Sequence, residues 1–206
     1  MKLPIVQLGD PVLRQVARPL STAELAGAEI QRLIEVMRET MRDAPGVGLA
    51  APQIGLPLQL AVIEDTPDYL EGVDPEDLER KERSAVPFHV IVNPVIEATD
   101  PAPRRFFEGC LSMEGFVGIV ARARGVRVRC LDHEGAPRTI DAVGWYARIL
   151  QHEIDHLGGI VYVDRVETRT LMCADEYARH WGGVSVTEVT EALDARRPPT
   201  VLPKAR

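Results

Sequence analysis

Apolar side chains recur at helical spacing in three parts of the chain. Between residues 21 and 42 they return to one helical face, and Ser21 with Glu24 matches a capping box, so we predict one helix there. The same spacing predicts a helix over residues 144–157, which the glycine pair after it would end. We expect a further helix over residues 170–180.

Short apolar runs between turn residues predict strands in the middle of the chain. Over residues 126–130 apolar side chains alternate with arginines, the pattern of a strand with one buried face. An unbroken apolar run over residues 58–64 indicates a buried strand, and the glycines and prolines before it predict a loop. The other predicted short strands lie at residues 88–93, 95–99, 116–123, 125–132 and directly after Gly135.

Two segments have no clear apolar period. Residues 65–87 are rich in acids and prolines, which indicates a surface excursion rather than a second domain. Beyond Gly183 a short amphipathic stretch leads into prolines and arginines that cannot bury much apolar surface. We predict a single catalytic domain over residues 1–182 and a C-terminal extension, residues 183–206, that is partly mobile.

The composition is that of an ordinary globular protein, since 45% of the 206 residues are apolar and 27% are charged. The net charge of -7 disfavours a polyanion-binding surface, so no sequence-specific nucleic acid is expected as a partner. Three widely spaced cysteines indicate a reducing compartment. The first residues lack an apolar signal core and no run is long enough to cross a membrane, so we expect a cytoplasmic protein.

The strongest chemical signal is the His-Glu-Ile-Asp-His run that starts at His152. On a helix, His152 and His156 lie on one face, where two imidazoles can bind one metal ion. Glu153 between them can then exchange protons with a water molecule at that site. The run predicts a catalytic divalent metal site, although the same residues also occur by chance or in a structural metal site.

A catalytic site of this type needs a third protein ligand and an open position. The spacing of metzincin peptidases is excluded, because Tyr162 occupies the position of their third histidine. Glu176 on the next predicted helix would give a thermolysin-like zinc peptidase. Cys110 would instead supply a thiolate from a neighbouring strand, although a lone cysteine is commonly an inert apolar side chain. The spacing leaves both alternatives open.

The glycine-rich loop before the first predicted strand is a second chemical feature. Gly46, Gly48 and Ala51 nominally match a dinucleotide fingerprint, but the segment follows a helix rather than a strand, and Pro52 obstructs a helix after it. Glycines let backbone groups approach a ligand closely, and Gln53 adds an amide donor. Such a donor suits a developing oxyanion.

Three segments together resemble the signature motifs of peptide deformylases: GVGLAAPQ from Gly46, EGCLS from Glu108 and QHEIDHL from Gln151. The resemblance extends from the first residues to about Met172. It implies an α+β fold in which antiparallel β-sheets pack around a central helix that carries both histidines. It also implies removal of the formyl group from the N-terminal N-formylmethionine of newly synthesised proteins, with release of formate.

The resemblance implies a role for each candidate residue. Glu153 would transfer protons, and Gln53 with the backbone N–H of Leu111 would stabilise the oxyanion. The metal ligands would be Cys110, His152 and His156. The methionine pocket and the peptide-binding backbone would be formed by Val47, Gly48, Phe106, Gly109, Trp145 and Ile149.

The same resemblance implies one divalent metal ion per chain, Fe²⁺ natively, which Ni²⁺, Co²⁺ or Zn²⁺ can replace. A thiolate beside ferrous iron oxidises readily, so we expect an activity that air destroys and nickel protects. The implied partners are N-formylmethionyl nascent peptides, with transient association with the ribosome.

Two further features lie inside the resembling region. We expect Glu108 and Arg122 to form an ion pair that supports the strand before Cys110. Met113 and Glu114 stand where many members of the family have an apolar residue followed by proline. These two residues and the GWYAR segment resemble the corresponding segments of the organelle-type class of the family.

Overall fold

A computed structural model describes residues 2–195. The first predicted helix is wrong as a single unit, because α1 (Thr22–Leu25) and α2 (Ala28–Asp43) are separate helices. The predicted capping box is confirmed at the start of α1. Gly27 is extended, with φ −72° and ψ 143°, and precedes α2 as its N-cap. The chain therefore turns at Gly27 while the apolar spacing continues through it.

Six antiparallel strands form one sheet in the described part of the chain. They are β1 (Gly48–Ala50), β2 (Leu60–Asp65), β3 (Val86–Cys110), β4 (Met113–Leu131), β5 (Pro137–Val143) and β6 (Met172–Cys173). They pair in the order β1, β2, β3, β4, β5, and β6 pairs with β4. The glycine-rich segment is not simply the predicted loop, because it contains β1 and a 3₁₀ turn.

The predicted short strands of the middle are wrong as separate elements, because most of them belong to β3 and β4. The register of this pairing shifts between Val92 and Val95, the residues that flank Asn93 and Pro94. It shifts again just before Pro103. A bulge lets a strand absorb a proline, which cannot donate to the hydrogen-bond ladder. β3 and β4 meet in a tight hairpin whose turn is Leu111 and Ser112.

Helix α4 (Gly144–Leu157) has the predicted bounds and lies against the sheet. Alternate side chains of a strand face opposite ways. Ala61 and Ile63 of β2 belong to the core that contains α4, whereas Leu60 and Val62 belong to the core that contains α2. The sheet therefore separates two apolar cores. The predicted α+β class with a central helix is confirmed, although the described strands form one sheet rather than several.

The predicted surface excursion contains a 3₁₀ turn (Pro67–Leu70) and α3 (Pro75–Lys81), neither of which buries a residue. After the excursion, Arg83 contacts the sheet again. It donates hydrogen bonds of 2.8 and 2.9 Å to the fully buried carboxylate of Asp65, the last residue of β2. This bidentate pair ties the end of the excursion to its beginning.

The predicted helix over residues 170–180 is too long, because β6 pairs with β4 before α5 (Ala174–His180) begins. Helix α6 (Val186–Asp194) follows, with Val189 fully buried. Residues 196–206 of the predicted extension lie outside the described residues, and its boundary and mobility stay predictions. No helix within residues 2–195 is long and apolar enough to cross a membrane.

Gly144 adopts φ +60° where β5 passes into α4, and a Cβ there would lie 2.4 Å from the Cβ of Glu82 and 2.7 Å from two backbone oxygens. We expect Gly144→Ala to lower the free energy of unfolding by about 2–4 kcal/mol in urea titrations. Gly72→Ala is the matched control, because Gly72 has φ +77° but no neighbouring atom within 4 Å. It should cost about 1 kcal/mol. Equal losses would contradict the role of the close contact.

Candidate metal centre

Three potential metal ligands converge where β3 ends beside α4. Cys110 is the last residue of β3, and His152 and His156 lie one turn apart on α4. Their ligand atoms all lie within 4.8 Å of one another, with 3.3 Å between Cys110 Sγ and His156 Nε2. Of the two candidates for a third ligand, the structure brings Cys110 to the histidines.

Glu176 lies elsewhere, on α5, where it is exposed to solvent. It pairs with Arg179 at 2.6 Å and with His180 at 3.2 Å, both on the same helix. It does not belong to the group of ligand atoms around His152. The thermolysin-like arrangement is therefore not favoured.

Glu108 is a buried carboxylate that joins β3, β4 and α4. Arg122 donates hydrogen bonds of 2.6 and 2.9 Å to it, Arg148 donates another, and His152 Nδ1 lies 3.1 Å from its Oε2. The predicted ion pair with Arg122 is confirmed. Burial by itself would raise the pKa of Glu108, but the hydrogen bonds from His152 and Arg122 outweigh it. The pKa is lowered, and Glu108 stays ionised.

The sequence patterns missed two supporting residues. Arg148 lies one turn before His152 on the same helix, a spacing that could have identified it. Gln7 Nε2 donates to the carbonyl of Leu111 at 3.0 Å, and Gln7 Oε1 accepts the N–H of Glu114 at 3.2 Å. Gln7 therefore holds the β3–β4 hairpin. No local pattern marks it, because these contacts join residues far apart in the chain.

The Cys-His-His set fits a divalent transition metal, since thiolates and imidazoles are typical ligands of zinc and related ions. The hydrogen bond from Nδ1 of His152 to Glu108 leaves Nε2 to face the metal position. His156 is 1% exposed, and its Nδ1 has no hydrogen-bond partner within residues 2–195. Its Nε2 is the atom that meets Cys110. Three protein ligands beside a cavity leave a position for catalysis.

The pKa values of the two imidazoles shift in opposite directions. Burial lowers the pKa of His156 well below its usual value and favours the neutral form that binds metals. Burial also opposes the charge of His152, but hydrogen bonds with Cys110 and Glu108 outweigh it and raise the pKa. A metal ion competes with that proton, so metal binding is expected to depend on pH.

Glu153 presents a carboxyl group to the same site. Burial raises its pKa to about 7, and its Oε2 has no hydrogen-bond partner in the described chain. The side chain lies directly against Gly48, where a Cβ would be 2.3 Å from Glu153 Oε1. A carboxyl group with a pKa near neutrality is suited to accept and return a proton.

Gln53 places an amide N–H beside the ligands. Its Oε1 accepts the N–H of Ala50 at 2.8 Å, and its Nε2 lies 3.5 Å from Cys110 Sγ and 3.4 Å from Ser112 Oγ. Leu111 follows Cys110 in the hairpin and, like Gln53, lines the adjoining cavity. The 3₁₀ turn after β1 and the β3–β4 hairpin therefore bring both predicted oxyanion residues to the metal position.

A cavity of about 890 Å³ opens beside the ligands. Phe106 does not line it, because its ring packs edge-to-face on Trp145, 6.3 Å between centroids, with the Arg148 guanidinium 5.2 Å from its centre. Phe107 and Phe116, which the sequence patterns missed, do line it. The predicted substrate-binding residues found in its wall are Val47, Gly48, Gly109, Trp145 and Ile149.

Residues 2–171 match the family model described as polypeptide deformylase. The chain belongs to this family. Peptide deformylase 1A of Solanum lycopersicum, a chloroplastic enzyme, is 45% identical over 81% of this chain and 60% of its own length. Peptide deformylase 3 of Streptomyces avermitilis is 44% identical over 93% of this chain and 83% of its own. The chain thus spans only about three fifths of the length of the tomato deformylase.

Solved deformylase structures share the fold. The class I type b peptide deformylase of Acinetobacter baumannii bound to Met-Ala-Ser is 32% identical, with a TM-score of 0.71 over 81% of this chain and 99% of that one. The deformylase of Synechococcus elongatus in complex with actinonin is 37% identical, with a TM-score of 0.67 over 94% of this chain and 85% of that one.

The contacts of Glu108 generate a prediction about metal affinity. Glu108→Gln removes the charge that orients His152, so we expect nickel to bind about 10–100-fold more weakly in a competition titration. The matched control is Glu167→Gln, which neutralises a partly exposed carboxylate paired with Arg105 and not with a metal ligand. The control should keep the nickel affinity, and an unchanged affinity in Glu108→Gln would contradict the orienting role.

Proposed function

We propose that this chain hydrolyses the formyl amide of N-terminal formylmethionine in newly synthesised proteins and releases formate. The observation that carries the proposal is the convergence of Cys110, His152 and His156 beside the buried carboxyl of Glu153, in a chain of the deformylase family. The Met-Ala-Ser peptide bound to the Acinetobacter enzyme supports it. That peptide is what remains after a formylated one loses its formyl group.

Cys110, His152 and His156 would hold one divalent metal ion, natively Fe²⁺, with Ni²⁺, Co²⁺ or Zn²⁺ as substitutes. When bound, such an ion supplies Lewis-acid polarisation and a lowered pKa of water. We further propose that the protein acts in the cytoplasm with transient contact to the ribosome, because nascent chains carry the formyl group as they emerge.

Glu153 would move the proton during hydrolysis. Water loses a proton to Glu153 while its oxygen bonds to the formyl carbon; the C–N bond then breaks, and the leaving amine receives that proton. The pKa of Glu153, raised by burial to about 7, allows both transfers near neutral pH. Gln53 Nε2 and the backbone N–H of Leu111 would donate to the formyl oxygen as negative charge develops on it.

The cavity would receive the methionine side chain against Val47, Trp145 and Ile149. Backbone groups of Gly48 and Gly109 would pair with the peptide, since β1 pairs only with β2 among the described strands and the end of β3 pairs only with β4. Phe106 would act from behind, because its ring holds Trp145 in place.

The first test is formate release from formyl-Met-Ala-Ser by nickel-loaded protein, which should saturate with substrate. Cys110→Ser should lower kcat/KM by at least about 100-fold, because it replaces the thiolate ligand. Glu176→Ala is the control and should retain activity. Absence of formate from folded, metal-loaded protein would overturn the proposal. Loss of activity in Glu176→Ala with retention in Cys110→Ser would favour a thermolysin-like peptidase.

Gly48→Ala should displace the Glu153 carboxyl, since the added methyl group would lie 2.3 Å from Oε1. The end of a long side chain can move at little cost to folding, so we expect unchanged nickel content and kcat lowered by about 100-fold. In a Glu153→Ala background the same substitution should have little further effect. Additive losses would mean that Gly48 acts on the peptide rather than on Glu153.

A further inference from the structure

A second groove, of about 630 Å³, borders the first cavity. We call it the downstream groove. One wall is α3, and the other comprises Tyr177 of α5, Val184 just before α6, and Val186, the first residue of α6. Both hollows share part of their lining, namely Phe107, Glu108, Gly109 and Val117. A molecule that leaves the first cavity along β3 therefore enters the downstream groove.

The backbone of β3 provides the path between the two hollows. Only the first residues of β3, Val86 to Val92, pair with β2. The last segment of β3, from Pro103 to Cys110, pairs with β4 alone among the described strands. Its other edge can accept an added strand. The path begins at Cys110, beside the metal position, and passes Gly109 and Phe107.

We propose that the downstream groove binds the residues of a formylated peptide that follow its first three. The proposal rests on the function proposed above. A strand rises about 3.3 Å per residue, so a peptide whose formyl group lies at Cys110 reaches Phe106 after roughly 13 Å, with its fourth or fifth residue. The peptide is the preferred occupant, because the residues from Phe107 to Gly109 line both hollows, so the groove continues from the catalytic cavity.

The groove is held open by contacts that do not involve the metal ligands. The Tyr177 ring packs on Phe107 with 4.5 Å between centroids. On the opposite wall Asp77 pairs with Lys81 at 2.6 Å and also with Arg80. Lys81 Nζ in turn lies 5.1 Å from the centre of the Trp145 ring. One wall thus connects α5 to β3, and the other connects α3 to the methionine pocket.

The test is the dependence of kcat/KM on peptide length, measured as formate release by the nickel-loaded full chain. The probes are formyl-Met-Ala-Ser and a series in which alternating alanine and serine extend it to four, five, six and seven residues. We expect kcat/KM to rise by about three- to tenfold between three and six residues and then to level off. Formate from every peptide with no effect of length would overturn the downstream groove but leave the proposed function intact. Formate from none would overturn both.

Two substitutions locate the effect. Val184→Trp should fill the groove and Tyr177→Ala should remove part of its wall, so each should abolish the gain from the longer peptides. Val95→Trp is the matched control, because Val95 is an exposed valine of β3 that lines neither hollow. The tripeptide rate of each variant reports on its folding. A full gain with length in both groove variants would contradict this location.

Discussion

The buried charge of Glu108 is the constraint on which the rest of the structure depends. A carboxylate that is 6% exposed is stable only with hydrogen-bonding cations around it, and Arg122 and Arg148 supply two guanidinium groups. These arginines lie on β4 and α4, so the compensation of one charge fixes the positions of a strand and a helix against β3. The third partner, His152, belongs to the metal site. The electrostatic balance of the core and the orientation of the site are therefore inseparable.

That scaffold permits a second costly feature, the buried carboxyl of Glu153. With Glu108 neutralised by arginines, Glu153 is left with burial as the main influence on its pKa, which rises to about 7. Glu108 and Glu153, two buried carboxyl groups from β3 and α4, thus differ in charge state for a physical reason. One is surrounded by donors and remains an anion, while the other lies against the backbone of Gly48 and can exchange a proton.

The sequence predicts most accurately what depends on short spacings. The bounds of α4 and the approach of two histidines follow from helical periodicity alone, whereas Cys110 needed the resemblance because its contact with His156 spans a long stretch of chain. The continuity of β3 was missed, since prolines in a single strand look like breaks until the partner strand accommodates them as bulges. The resemblance implies Phe106 as a pocket residue, but a match of position does not specify which neighbour covers a side chain, and here the ring packs behind Trp145.

The length of β3 connects these observations. The strand carries Glu108, which binds the arginines; it ends at Cys110, which faces the histidines; and its free edge at Gly109 adjoins the cavity. Successive residues of one strand have fixed separations, so a displacement of β3 would move the metal ligand and the peptide-binding edge together. The positions of Cys110 and Gly109 relative to each other are preserved during such a movement. The distance from Cys110 to the histidines of α4 is not. The contacts of Glu108 with Arg148 and His152 on α4 restrain this remaining distance, together with the packing of Phe106 on Trp145.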